Sequence, residues 1–300
     1  MNTMAGSAVH MITEALDLAR LGIVSFNPTT PDEWRKDPRG VAARVLNDLI
    51  KENLDRSEGL YTRDDIRLSG RATKEWPNKN DFDFMVHHIP GWVQNWTDWL
   101  DNAPWDIWIA EDGQPGIELG LSFKVGNQDV TGSIDRVLVN QHTGEIAIVD
   151  LKGGAWVPKD LEQPELYAYG LFQKFGVKAN VGGFFMNRTN KIERWGYLKP
   201  HEGLLAHKFD STAAKAEQGL LMYDTEKCEY MCSVRDHCPI YGGKFAITTE
   251  DLLGSIQDAA KRVRDGEDIK SAMWKPDQPV VIPEAASDAD PLGRDGEPPF

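Results

Sequence analysis

Apolar residues recur along this chain with a period that switches from helix-like to strand-like and back. Residues 6–20, GSAVHMITEALDLAR, place Val9, Ile12, Leu16 and Ala19 on one helical face. Residues 40–54 predict a second amphipathic helix with Val41, Val45, Leu46 and Leu49 inward. The stretch 56–90 is polar and broken by Gly and Pro, and it reads as loops with short elements. Residues 91–108 then carry five tryptophans, and Trp92, Trp96 and Trp99 fall at i, i+4 and i+7 along one side of a helix. The favoured reading is a helix packing its apolar face on a sheet; the alternative is an aromatic surface that stacks unpaired bases.

The period then becomes two. Residues 117–125, 129–139 and 145–151 predict three strands, separated by turn signals at Gly126-Asn127 and His142-Thr143-Gly144. Links this short predict an antiparallel meander. Helical spacing returns over 159–175, with Pro164 near the start, and two more strands follow over 179–187 and 191–198. Helices are expected over 201–222 and 248–264, and from about 276 the Pro- and acid-rich tail predicts disorder. The pattern predicts an α/β fold in which a central mixed sheet of about five strands is flanked by helices. One domain would span 1–222, with a Trp-rich helical insert at about 56–110. A small cysteine-bearing cap (223–245), a C-terminal helix region (246–275) and the acidic tail (276–300) would follow.

Composition narrows the class. The chain has 300 residues, 41% hydrophobic and 27% charged, which suits a globular protein able to bury a core without disulfides. No apolar run is long enough for a membrane span, and the N-terminus lacks the basic and apolar regions of a signal peptide, so a cytoplasmic location is expected. The formal charge of −14 argues against a protein that coats nucleic acid through its own lysines and arginines. It does not argue against an enzyme whose carboxylates hold divalent cations, because the cations then supply the positive charge.

The block from 132 to 154 carries the chemistry. Asp135 and Asp150 sit near the ends of adjacent predicted strands, and Lys152 lies two residues after the second acid. Residues two apart on a strand share a face, so Asp150 and Lys152 point into one site. D-x-K alone is a weak motif, but the apolar run Ile146–Val149 makes this a buried central strand, where an acid and a lysine cost desolvation unless they are used. Carboxylates holding Mg²⁺ or Mn²⁺ activate water, and a lysine orients that water or neutralises charge growing on phosphorus. Gln163 and Tyr167, four apart on the following helix, share a face and have polar tips fit to reach the same place. His10, in the first helix, can complete a metal shell, and its imidazole suits Mn²⁺ better than Mg²⁺.

The order G-x-x-V-H (Gly6–His10), G-x-I-D-R (Gly132–Arg136), I-V-D-L-K-G (Ile148–Gly153) and Q-x-x-x-Y (Gln163–Tyr167) resembles the motif series of RecB-like nucleases in the PD-(D/E)XK superfamily. That group includes the CRISPR-associated RecB-like exonucleases and phage exonucleases. The resemblance implies a restriction-endonuclease-like core. It implies Asp135 and Asp150 as metal ligands, His10 as a further ligand, Lys152 as the catalytic lysine, and Gln163 and Tyr167 as supporting catalytic residues. Glu118 matches a commonly acidic position and is carried over as a metal ligand. The implied activity is metal-dependent hydrolysis of DNA, exonucleolytic rather than endonucleolytic, on single strands or duplex ends. Recombination, repair or phage DNA processing would be its setting, with helicase or recombination proteins as partners. The alternative is an inactive nuclease-fold DNA-binding subunit of a recombination or CRISPR-type complex.

Cys228, Cys232 and Cys238 fall within eleven residues. An odd, clustered set suggests metal ligation more than a disulfide. It resembles the C-terminal three ligands of the [4Fe–4S] cluster held by several family members, whose fourth cysteine precedes the histidine motif. None of the nine residues before His10 is a cysteine, so that ligand is missing. Three options stay open: a true start further upstream, a substitute ligand such as His237 or one from outside, or a lost cluster leaving a Zn²⁺ site or bare thiols.

Overall fold

The computed structural model describes residues 4–217, apart from 26, 58, 60, 61, 64, 65, 70–76, 78, 79 and 155, together with residue 261. These residues, 261 excepted, lie in the first of two compact units, Met1–Leu220. The expected cysteine cap, the 248–264 helix except residue 261, the acidic tail and the last part of the 201–222 helix lie outside the described residues.

Helices come first: α1 (Met4–Arg20), α2 (Pro31–Lys36), α3 (Pro38–Arg56) and α4 (Phe82–Asn102). Then come β1 (Trp105–Ile107), β2 (Ile117–Val125), β3 (Gln128–Asn140), β4 (Ile146–Lys152), α5 (Glu162–Phe175), β5 (Ala179–Met186), β6 (Lys191–Tyr197) and α6 (Glu202–Glu217). The strands form one six-stranded sheet in the order β1-β3-β4-β5-β6, with β2 pairing β3. The meander β2–β3–β4 is antiparallel as expected. The α5 crossover makes β4 and β5 parallel, which makes the sheet mixed.

Each layer follows from its apolar pattern. β2 alternates strictly, burying Ile117, Leu119, Leu121, Phe123 and Val125, whereas β4 is buried from Ile146 to Leu151 because helices cover both of its faces. On one face, Leu119, Phe123, Ile134 and Ile148 pack with Ala168 and Leu171 of α5. On the other, Leu138, Ala147, Val149 and Phe185 pack with Trp96 and Leu100 of α4. The Trp92/Trp96/Trp99 stripe is therefore a packing face: Trp92 and Trp96 are buried, and Trp96 and Trp99 both meet the Phe185 ring. A third cluster joins α1, α3 and α4 through Ile12, Leu46, Ile89 and Val93.

Residues 82–90 correct the expectation of loop over 56–90. Asp81 caps the helix by accepting from the Phe84 N–H at 2.9 Å, and Met85 and Ile89 carry the buried face into Trp92, Val93 and Trp96. That continuous face holds the helix through Pro90, which on local propensity would end it. Two short elements also escaped the pattern. The α2 helix spans six residues and is set by a Thr30/Glu33 capping box; β1 spans three and is set by pairing with the end of β3.

Candidate active site

The site forms where α1 crosses the sheet beside β2, β3 and β4. His10, one turn and a half into α1, directs Nδ1 toward Glu118 Oε1 of β2 (3.3 Å) and Asp135 Oδ1 of β3 (3.6 Å). Its Nε2 lies 2.9 Å from the Leu151 carbonyl oxygen on β4, which can only accept, so Nε2 carries a proton whether or not the ring is charged. The Leu151 N–H in turn donates to Asp135 Oδ2 at 2.7 Å. A single main-chain unit, lying between Asp150 and Lys152, thus orients both the histidine and the central carboxylate. Ligand atoms of His10, Glu118 and Asp135 all lie within 4.8 Å of one another.

Charge in this cluster is finely set. Burial alone would lower the His10 pKa, but the Asp135 and Glu118 carboxylates more than offset it and raise it to about 9. Burial pushes Asp135 above the usual carboxylate range. Burial likewise acts to raise Glu118, but the His10 and Arg136 contacts prevail and hold it below its ordinary value. Glu118 also has φ 42°, a left-handed backbone that side-chain-bearing residues adopt at a cost of about 1–3 kcal/mol. Two desolvated carboxylates and an imidazole nitrogen make a donor set for a divalent ion, which would take the place of the imidazolium proton facing both acids.

Asp150 stands next to this trio rather than within it. Its carboxylate is nearly fully buried, and Oδ2 lies 2.6 Å from Lys152 Nζ without an aligned hydrogen bond. Burial, then the charge of Asp135, pushes its pKa up to about 6. Lys152 Nζ donates to Gln163 Oε1 at 3.3 Å, and Gln163 Nε2 donates to the Tyr167 hydroxyl at 3.3 Å. The run Asp150–Lys152–Gln163–Tyr167 is thus a continuous polar chain from β4 to α5. Every sequence-predicted residue in the described part of the chain falls into one of these two adjoining groups. Cys228, Cys232 and Cys238 lie outside the described residues, as does His237.

Sequence reasoning missed the support beneath the trio. Arg136 is fully buried; Nε donates to Asp17 Oδ2 at 2.7 Å, Nη2 to Thr13 Oγ1 at 3.0 Å, and Nη1 to the Asp135 carbonyl at 2.6 Å and Glu118 Oε1 at 3.3 Å. Asp17 Oδ2 also accepts from Trp96 Nε1 at 2.8 Å. The signal was present: Thr13 and Asp17 follow His10 at i+3 and i+7, a polar stripe beside the apolar face of α1.

An acid pair with a lysine at the end of a central strand, beside a histidine-and-carboxylate cluster that could hold a metal ion, sits on a restriction-endonuclease-like mixed sheet. The chain belongs to the PD-(D/E)XK nuclease superfamily, whose model matches residues 4–239. It is also similar to the Gene 69 protein of Mycobacterium phage D29, 26% identical over 256 residues that cover 79% of this chain and 84% of the phage protein. Nucleases of this superfamily use divalent metals. Among the described residues, no helix is long and apolar enough to cross a membrane.

Proposed function

We propose that the protein is a Mg²⁺- or Mn²⁺-dependent DNA nuclease of the RecB-like branch, acting as an exonuclease on single strands or duplex ends during recombination, repair or phage DNA processing. The observation that carries the reading is the meeting of the His10–Glu118–Asp135 trio with the Asp150–Lys152 pair through the backbone N–H and carbonyl of one residue, Leu151. His10, Glu118 and Asp135 would hold the divalent ion, with Asp150 on its β4 side. When bound, the ion supplies Lewis-acid polarisation of the phosphate and a water of lowered pKa.

The remaining roles belong to the chain. Asp150 keeps the Lys152 ammonium at the mouth of the site, where its side chain is 30% exposed and able to meet a phosphate oxygen. Gln163 holds Lys152 from the α5 side and is itself fixed by Tyr167, so the ammonium is aimed before substrate arrives. Leu151 keeps Asp135 and His10 in register through its N–H and carbonyl. The exonuclease preference is supported by the likeness to RecB-like nucleases in motif order.

The test is cleavage of end-labelled linear strands and closed circles with Mg²⁺, Mn²⁺ or EDTA. Wild type should cut linear DNA only with metal, and Asp150→Ala and Lys152→Ala should not. Cutting of circles as fast as linear strands would overturn the exonuclease assignment, and full activity in Lys152→Ala would overturn the site.

A further inference from the structure

Strand β4 does not lead directly into α5; it passes through residues 153–161, which carry an exposed tryptophan four residues beyond Lys152. Trp156 is 67% exposed, in a protein that buries Trp34, Trp92, Trp96 and Trp105 to 8% or less. A large aromatic surface left in water is stabilised by anything that covers it. The segment bearing it is held at both ends. At Gly153 an added Cβ would lie 3.1 Å from the Gly6 Cα, so the backbone leaving Lys152 runs against the first turn of the helix that carries His10. Further on, the Pro158 carbonyl accepts from Arg194 Nε of β6 at 3.3 Å. Trp156 therefore lies between two anchored positions, Gly153 against α1 and Pro158 against β6.

Its position selects the occupant. Four residues of chain span at most about 14 Å, so Trp156 stands within a few nucleotides of a phosphate at Lys152, taking about 3.4 Å per stacked nucleotide. A base has an apolar face of the right size for an indole, and base–aromatic stacking tolerates any sequence. The net charge of −14 gives the chain little general attraction for phosphate, which places more of the grip on contacts of this kind.

We propose that Trp156 is a stacking platform for an unpaired base of the strand whose phosphate is engaged at Lys152. The assignment makes single-stranded DNA, or the frayed end of a duplex, the substrate this site grips best. It rests on the nuclease reading given above.

Two measurements on the full chain test it. In a Lys152→Ala background with Mg²⁺, fluorescence anisotropy with a labelled oligothymidylate reads affinity without cleavage. Trp156→Ala should weaken binding by about fivefold to a hundredfold, and Trp156→Phe should recover most of it. An oligonucleotide series with one abasic site moved along it should contain a position that weakens wild-type Trp156 protein to a similar degree and leaves Trp156→Ala unaffected. In the cutting enzyme, the loss in kcat/KM on single strands should be carried by KM. Equal affinity and equal KM in Trp156→Ala would overturn the stacking role and leave the indole to a protein partner. Cleavage that survives Lys152→Ala would instead count against the active-site reading, and the abasic series would still report on Trp156.

Discussion

Asp17→Asn probes the buried ion pair beneath the site. Both Asp17 and Arg136 have fully buried side chains, and their 2.7 Å contact joins α1 to β3. Removing one member of such a pair leaves the other charge in a dry interior, typically at about 3–5 kcal/mol. The low end applies here. The asparagine oxygen can still accept from Trp96 or Arg136, and Arg136 retains Thr13, Glu118 and the Asp135 carbonyl. A loss of about 3 kcal/mol in a domain of this size lowers Tm by about 6–12 °C. Calorimetry on EDTA-treated protein measures this, with circular dichroism confirming a native fold at 25 °C. Pairing Asp17→Leu with Arg136→Met should recover much of the stability lost by Asp17→Leu alone, because a matched apolar pair replaces a matched ionic one. Metal affinity should not recover, because Glu118 and the Asp135 main chain lose their guanidinium anchor. A shift below about 2 °C in Asp17→Asn, or full metal affinity in the double variant, would refute the claim that this pair both stabilises α1 and aims the ligands.

Three further outcomes are expected. At a hundredfold excess over its dissociation constant, Mn²⁺ or Mg²⁺ should stabilise the protein by about 2.7 kcal/mol, and Asp135→Asn should abolish most of that rise in a thermal melt. Gly153→Ala should cost about 1–3 kcal/mol in urea denaturation and should lower activity further by pushing α1 and His10 away from β4; a neutral, active variant would show that the contact with Gly6 relaxes freely. In metal-free protein, His10 contributes stability that is complete below its unfolded pKa of 6.5 and lost as pH rises through about 9. Asp150, raised from 3.8 to about 6, acts in the same direction at lower pH, because the native state holds its proton more tightly. The Tm in EDTA should therefore fall from pH 5 to pH 9, and a rising Tm across that window would contradict the pairing of His10 with the two carboxylates and the burial of Asp150.

What could be read beforehand depended on whether a feature was local. β2, β3 and β4 were legible because alternation and a solid apolar run leave few alternatives, and Asp150 and Lys152 then followed from the two-residue repeat. His10 was different: spacing alone made it an ordinary helix residue, and only the motif order linked it to Asp135. The α2 capping box was written plainly as Thr30-Pro-Asp-Glu33, yet a six-residue helix gives too little apolar periodicity to register. Asp81 and Pro90 show the limit from the other side. A polar, proline-bearing stretch is helical because Met85 and Ile89 extend a face whose worth appears only once it is buried against α1 and α3. Arg136 was the hardest to foresee, since a charged residue in a strand reads as outward-facing until α1 supplies Asp17 and Thr13 above it.

That arginine also bears on how so acidic a chain keeps three carboxylates together. Its Nη1 touches Glu118 while Nε is committed to Asp17, so its charge acts from beneath the cluster. His10 faces Glu118 and Asp135 from α1, and Lys152 faces Asp150 from the mouth. Each acid thus has a positive neighbour, and the imidazolium proton of His10 faces both Glu118 and Asp135. The arrangement holds the acids in place but does not fully neutralise them, as the proposed divalent-ion site requires. It follows that phosphate affinity at this site depends on the bound ion far more than on the protein's own basic residues. DNA binding should collapse in EDTA and should show a shallower salt dependence than that of a protein gripping many phosphates with lysine and arginine.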